Sequence, residues 1–269
     1  MRLIDSHCHL QADRFSADVD AVLERARAAG VERILVPGWN AWSSEAAIRL
    51  TERHPWLDAA VGVHPHDAAK VDDAAWRGIA ELAADSSVVA IGETGLDFDR
   101  AFSPIDDQLR NLRRNLQLAT ETGKPAILHC RSKAGERDAQ DTLLAEVRGF
   151  PGLGIVIHSF SGPVDYAQSM LDLGAVISIS GLAFRAGEEP TAAVAALVTE
   201  ERRLVETDSS FLTPPGGPRG RNEPAAVEIT ARWVAERRGA AADASADAFG
   251  AALVATYDRV FAGRSPEEH

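Results

Sequence analysis

Cysteine is scarce in this chain, which has only Cys8 and Cys130 among its 269 residues. Two thiols cannot build a disulfide framework, and such scarcity is typical of proteins in a reducing compartment. No apolar run approaches the ~20 residues that a membrane-spanning helix needs. Asp5 and His7 interrupt the stretch that a signal peptide would keep apolar. The sequence therefore predicts a cytoplasmic protein without a membrane segment.

An excess of positive charge is also lacking. The formal net charge is -12, which argues against a broad basic surface for duplex nucleic acid. A local cationic cleft remains compatible with this charge, because bound divalent ions can be the largest charges in a site. The composition, with 45% hydrophobic and 25% charged residues, is that of a globular protein.

What the chain does contain is a recurring unit, in which a short apolar run precedes a segment of helical periodicity. Strands that are apolar on both faces and alternate with helices indicate a parallel sheet. Eight such units in a chain of this length predict an α/β protein, a single (β/α)8 TIM barrel with an extra C-terminal helix, forming one domain over residues 1–269. The predicted strands are the opening of 3–10, 33–37, 59–63, 88–92, 126–128, 155–157, 176–179 and 203–206.

Histidine and carboxylate side chains follow several of these strands. In barrels of this kind the active site lies at the carboxyl ends of the strands. Histidines with structural roles should be scattered, yet of the eight in the chain only His54 and His269 lie elsewhere. The side chains at the predicted strand ends are His7, His9, His64, His66, Glu93, His129, His158 and Asp208.

The spacing of these residues favours a metal site over isolated hydrogen-bonded histidines. His7 and His9 are two places apart, so on a strand both imidazoles point to one face and can hold one ion. Glu93 directly follows a buried strand, where an unpaired carboxylate would be costly to desolvate and a metal is the natural counter-charge.

Six residues are candidate metal ligands, more than the about three or four that one catalytic zinc takes. They predict two divalent ions, zinc, manganese or magnesium, in a site that activates a shared water. None of the three lysines follows a strand together with other ligands, so Glu93 is the better bridge between the ions. Asp208 can also accept a proton as the catalytic general base. The predicted ligands are His7, His9, Glu93, His129, His158 and Asp208.

Four further residues are candidates for substrate binding: His64, His66, Arg131 and Arg221. Pro65 indicates a turn between the two histidines, which can serve as supporting groups behind the ligands or contact the substrate. Arg131 lies two residues after His129 and can bind an anion or form an ordinary surface salt bridge. Arg221 lies in a loop rich in glycine and proline, which can bind phosphate or be a solvated turn.

The motifs together resemble the TatD family of metal-dependent deoxyribonucleases, within the amidohydrolase-type barrel hydrolases. The matching segments are DSHCHL (5–10), GVHPH (62–66), IGETGLD (91–97), LHCR (128–131), HSFSG (158–162), ETDS (206–209) and RNEP (221–224). The resemblance implies phosphodiester hydrolysis, with DNA as the substrate and 3′–5′ exonuclease activity on single strands. It also implies that His7, His9, Glu93 and Asp208 hold one ion. Glu93, His129 and His158 would hold the other.

The chain departs from the family pattern at Ser159, at Phe98 and Asp99, and at Ser210 and Phe211. None of these is a proposed ligand, so the departures bear on the substrate and not on hydrolysis. A second hypothesis therefore keeps the site and changes the bond to an ester, lactone or amide, as in D-aminoacyl-tRNA deacylation. A third is a non-catalytic metal-binding scaffold, which the complete ligand set disfavours. No obligate protein partner is evident from the sequence.

Overall fold

The computed structural model describes residues 1–239 and 243–261, so His269 lies outside the described residues. Eight strands form one sheet in chain order. The strands are β1 (Leu3–Asp5), β2 (Val31–Pro37), β3 (Leu57–Val61), β4 (Val88–Asp97), β5 (Ala126–Arg131), β6 (Ile155–Ile157), β7 (Val176–Ile179) and β8 (Arg203–Val205). The helices are α1 (Val19–Ala28), α2 (Ala41–Arg53), α3 (Asp73–Leu82), α4 (Ile105–Thr122), α5 (Asp138–Val147), α6 (Val164–Asp172), α7 (Pro190–Leu197), α8 (Val227–Arg237) and α9 (Asp243–Val260).

The helices α1 to α7 each connect two consecutive strands, and α8 follows β8. Pairing is parallel between β1 and β2, β3 and β4, β4 and β5, and β7 and β8. Every residue of β3 and β4 is buried, as expected for a sheet that helices cover. The predicted TIM barrel is confirmed, and α9 is its extra C-terminal helix.

Among residues 1–239 and 243–261, no helix combines the length and apolar character that a membrane span needs. Cys8 and Cys130 are both buried and are not joined in a disulfide.

The chain divides into two compact units. The first comprises Met1–Val36 and Ile157–Thr256, and the second comprises Pro37–Val156 with the described residues after 256. The single domain over residues 1–269 stays a prediction.

In the first unit, the chain that leaves β1 runs beside the chain that leaves β8. The His9 N–H donates to the Ser209 carbonyl (2.8 Å), and Cys8 forms an isolated parallel bridge with Ser209. β1 itself ends at Asp5, so His7 and His9 follow the strand and do not lie within it. The segment is nevertheless extended, because its backbone pairs with the segment after β8.

In the second unit, β4 does not end before Glu93 as predicted, but continues to Asp97. Its register with β5 is irregular between Ile91 and Thr94, so Gly92 and Glu93 form a bulge in a continuing strand. A Cβ on Gly92 would lie 2.6 Å from a backbone oxygen of β5, which only glycine avoids. Bulges of this kind redirect side chains next to active sites.

β5 is also longer than predicted and runs to Arg131. His129 therefore lies within the strand, and Arg131 follows it on the same face. Between His64 and Lys70 the chain turns through a short 3-10 helix that begins with Pro65, which confirms the predicted turn.

Candidate active site

Three ligand-type side chains meet in the first unit, just after β1 and β8. His7 Nε2 lies 3.3 Å from His9 Nε2. Asp208 Oδ1 lies 3.5 Å from His9 Nε2 and 4.0 Å from His7 Nε2. His7, His9 and Asp208, called here the first cluster, thus offer three ligand atoms within 4.8 Å of one another.

The backbone holds Asp208 in an unusual conformation. Its φ is +52°, in the left-handed region that aspartate and asparagine enter more readily than most residues. The Asp208 N–H donates to the His7 carbonyl (2.9 Å), and the Phe211 N–H donates to the Asp208 carbonyl (2.9 Å). These two bonds fix the carboxylate beside the histidines.

His158, also in the first unit, stacks on His7 with a ring separation of 3.8 Å. Its Nδ1 lies 2.9 Å from Glu206 Oε1, which also accepts the Ser159 N–H at 2.7 Å. Burial acts to raise the pKa of Glu206, but chiefly its interaction with His158 outweighs burial, so this pKa lies below its ordinary value. With Nδ1 donating to a carboxylate, the lone pair on Nε2 is the one that can bind a metal.

The second unit contains the other group of ligand-type side chains. His64 Nε2 and His129 Nδ1 each lie 3.2 Å from Glu93 Oε1. The three ligand atoms lie within 4.8 Å of one another. His64, Glu93 and His129 are called here the second cluster. Glu93 is almost fully buried, and its N–H donates to the Gly38 carbonyl (2.8 Å).

Asp97 orients two histidines of the second unit. Its Oδ2 lies 2.8 Å from His66 Nε2 and 3.3 Å from His129 Nε2. Burial acts to raise the pKa of Asp97, but the hydrogen bonds with His129 and His66 outweigh it and keep this pKa well below its ordinary value. Since His129 Nε2–H donates to Asp97, its Nδ1 presents a lone pair on the side of Glu93.

His64 has the opposite arrangement. Its Nδ1 accepts the His66 N–H at 3.1 Å, so in the neutral ring the proton is on Nε2, which donates to Glu93. Burial lowers the pKa of His64 to about 4, outweighing the nearby Glu93, and the ring is neutral at pH 7. In this tautomer His64 supports Glu93 through its Nε2–H, and binding a metal through Nε2 would require the ring proton to move to Nδ1.

Both clusters fit a divalent cation. Imidazole nitrogen and carboxylate oxygen are donors that suit zinc and manganese and that magnesium tolerates. A tetrahedral ion with bonds of ~2.0–2.1 Å keeps neighbouring ligand atoms ~3.3 Å apart. The separation of His7 Nε2 and His9 Nε2 is 3.3 Å, and that of Glu93 Oε1 and His129 Nδ1 is 3.2 Å.

The two predicted anion-binding arginines lie outside both clusters. Arg131 Nε donates to Asp99 Oδ2 (3.0 Å). The Arg221 guanidinium donates to Asp18 (2.6 Å) and Glu223 (3.1 Å), and it lies over the Phe15 ring at 4.6 Å. Their contact with substrate stays a prediction.

Sequence reasoning missed two carboxylates, Glu206 and Asp97, which orient His158 and His129. Both lie within the quoted motifs, two residues before Asp208 and two after Gly95. The available signal was burial: each carboxylate follows or ends an apolar strand, where it needs a hydrogen-bonding partner.

Comparison with known proteins identifies the family of this chain. The model of the family "TatD related DNase" matches residues 4–258. The 3′-5′ ssDNA/RNA exonuclease TatD of Klebsiella pneumoniae strain 342 is 38% identical over 247 residues, covering 88% of this chain and 90% of that protein. The uncharacterized metal-dependent hydrolase YabD of Bacillus subtilis strain 168 is 37% identical over 240 residues, covering 87% and 90%.

Solved structures agree with these matches. The TatD homolog YJJV from Escherichia coli K12 superposes with a TM-score of 0.85 at 30% identity, covering 97% of this chain and 98% of that one. An organophosphorus hydrolase mutant from Deinococcus radiodurans shares the fold, with a TM-score of 0.61 at 16% identity. The match covers 96% of this chain and 92% of that one. The family resemblance predicted from the motifs is confirmed. The chain belongs to the TatD-related DNase family of metal-dependent hydrolases.

Proposed function

We propose that this protein is a metal-dependent exonuclease that removes nucleotides from the 3′ end of single-stranded DNA. The observation that carries the proposal is the pair of His/carboxylate clusters, His7–His9–Asp208 and His64–Glu93–His129, each compact enough to hold a cation. Relatives with 35% to 38% identity that bear the name 3′-5′ ssDNA/RNA exonuclease support the choice of bond and polarity.

Two divalent ions, zinc, manganese or magnesium, suit the donors available. In our proposal one ion would be held by His7, His9 and Asp208 and the other by His129 and His158, and Glu93 would contribute to both. When bound, such ions polarise the phosphodiester and lower the pKa of water.

The protein's own groups then manage protons and orientation. The Asp208 side chain is 15% exposed, so water can reach it, and it accepts the proton of the attacking water as general base. The water oxygen bonds to phosphorus while the P–O3′ bond breaks, and the 3′ oxygen leaves with a proton from solvent. Glu206 and Asp97 keep the imidazoles of His158 and His129 in the required tautomer.

His66, Arg131 and Arg221 are proposed to contact the substrate, with the arginines exchanging their present carboxylate partners for phosphate. His64 acts through Glu93. The protein is proposed to work in the cytoplasm, as one domain over residues 1–269, with DNA as its partner and no obligate protein partner.

The experiment is hydrolysis of a single-stranded oligonucleotide by metal-reconstituted protein. A 5′-labelled strand should yield a ladder that shortens with time, and a 3′-labelled strand should release labelled mononucleotide first. Asp208→Asn and Glu93→Ala should abolish both signals. The same preparation is given ester, lactone and aminoacyl-ester substrates. Turnover of these without any nuclease ladder would favour the second hypothesis, and turnover unaffected by both variants would end the catalytic assignment.

A further inference from the structure

Two large aromatic side chains of the second unit are exposed to solvent. Phe102 is 66% exposed and Trp42 is 51% exposed. Phe102 lies in the loop that follows β4, and Trp42 lies in the first turn of α2, after β2. Both therefore belong to segments that leave the carboxyl ends of barrel strands, where active-site groups lie.

Phe102 is held next to the second cluster. Its ring lies edge-to-face with the His66 ring, 4.7 Å between centroids. The next residue, Ser103, anchors the loop, because its Oγ donates to the His66 carbonyl (3.0 Å) and accepts the Ala69 N–H (3.1 Å). The ring thus has a fixed position, with one edge on a candidate substrate-binding histidine and most of its surface in solvent.

Trp42 is tied to the same cluster through its neighbours. Its ring packs against Trp39 at 6.1 Å, and the Trp39 carbonyl accepts the His64 N–H at 3.0 Å. Asn40 caps α2, with its side chain accepting the Ser43 N–H at 3.0 Å. The cap fixes the first turn of the helix and with it the exposed indole.

We propose that Phe102 and Trp42 stack on nucleobases of a single-stranded substrate bound at the second cluster, which makes them specificity-determining residues. This inference rests on the proposed function. A chain with a net charge of -12 has little general attraction for phosphates. Stacking on aromatic rings supplies binding that does not depend on charge, about tenfold in affinity per base. It requires unpaired bases, so it also excludes duplex.

The test compares two single strands that differ only at the two 3′-terminal nucleotides, which carry bases in one and abasic tetrahydrofuran units in the other. For the wild type, kcat/KM should fall about tenfold or more on the abasic strand. In Phe102→Leu and Trp42→Leu the ratio between the two strands should shrink towards one. Phe102→Trp, which keeps an aromatic face, should preserve it.

Trp56→Leu is the matched control. Trp56 is partly exposed and immediately precedes β3, whereas His64 lies beyond the other end of this five-residue strand, about 17 Å along it. This variant should keep the wild-type ratio. Because each ratio is taken within one variant, a general loss of activity does not change it.

Wild-type ratios in both Phe102→Leu and Trp42→Leu would overturn the stacking proposal. If the wild type hydrolyses neither strand, the proposed function fails, and the ratio of the two dissociation constants, from fluorescence anisotropy, decides the stacking proposal instead. Sedimentation velocity is run on the same proteins. Suppose that the wild type is a dimer, that Phe102→Leu is a monomer, and that this variant keeps the wild-type ratios of kcat/KM and of dissociation constants. Phe102 would then form a contact between copies, and the proposal would be overturned.

Discussion

Glu206 Oε1 accepts a hydrogen bond from His158 Nδ1 at 2.9 Å, and neither side chain has appreciable contact with solvent. The carboxylate fixes both the ring orientation and the tautomer of a candidate metal ligand. Its low pKa means that it stays ionised at neutral pH, so it raises the basicity of Nε2 on the same ring.

Glu206→Gln should therefore weaken metal binding by about 10–100-fold, because the amide cannot hold the imidazole as the carboxylate does. Competition for zinc with a chromophoric chelator measures the change. The control is Glu200→Gln, at an exposed position on the turn before β8, which should bind metal as the wild type does. Equal zinc affinities for all three proteins would show that Glu206 does not support metal binding.

Asp208 should tolerate asparagine structurally and not catalytically. Asparagine enters the left-handed region readily, so Asp208→Asn should unfold within a few degrees of the wild type while losing about 10²–10⁴-fold in turnover as its general base disappears. Asp208→Ala places a residue with no such preference at φ +52° and should be about 1 kcal/mol less stable than Asp208→Asn. Thermal unfolding and oligonucleotide turnover are measured side by side. A fully active Asp208→Asn would exclude the proton-accepting role.

His64 is expected to act on Glu93 and not as a ligand. His64→Ala removes the Nε2–H donor that lies 3.2 Å from Glu93 Oε1 and should lower metal affinity. His64→Gln keeps an N–H at a similar reach and should recover most of it. Metal per chain, measured by mass spectrometry at saturating metal, should equal the wild-type value in both variants. Loss of one equivalent in His64→Gln would show instead that His64 binds the ion directly.

The barrel and most of the site could be predicted from the sequence because their signals are local. A short apolar run followed by a histidine or carboxylate recurs at six of the eight predicted strands, and parallel strands bring their carboxyl ends together. That reasoning identified both histidines of the first cluster and Asp208, although His7 and His9 lie beyond the regular strand.

Glu93 shows what could not be predicted. The sequence suggested a strand that stops at the first charged residue, whereas β4 continues through a bulge to Asp97. Backbone pairing with β5 does not require apolar side chains, and the glycines in this stretch permit close approach of the two strands. Bulges and the tautomers set by Asp97 and Glu206 arise from contacts between distant segments, which no local pattern reports.

Asp5 should make stability depend on pH. Burial raises the pKa of this carboxyl to about 8, against hydrogen bonds from Thr207 that lower it. Between its ordinary value of 3.8 and about 8, the folded protein keeps a proton that the unfolded chain releases. This proton uptake favours the folded protein. Its contribution to the free energy of unfolding is therefore fully present below pH 3.8 and is lost as the pH rises towards 8.

Asp5→Asn has no such proton. The free energy of unfolding of this variant minus that of the wild type should therefore increase as the pH rises, by at most about 1.4 kcal/mol per pH unit. Urea unfolding of metal-free protein at about pH 5, 6.5 and 8 measures this difference. Asp13→Asn, at an exposed position, is the control and should run parallel to the wild type. A parallel curve for Asp5→Asn would mean that Asp5 is already ionised in the folded protein.

Gly95 should resist any side chain. Its φ is +138°, and a Cβ there would overlap the His129 carbonyl oxygen on the neighbouring strand β5. Gly152 provides a matched comparison, because its φ is +84° and a Cβ would meet no atom within 4 Å. Both alanine variants carry the cost of a positive φ, but only Gly95→Ala must also separate β4 from β5. We expect Gly95→Ala to lose about 1–3 kcal/mol more than Gly152→Ala in urea unfolding. It should also lose metal at the second cluster, because His129 moves away from Glu93. Equal losses would show that the two strands can separate at Gly95 without cost.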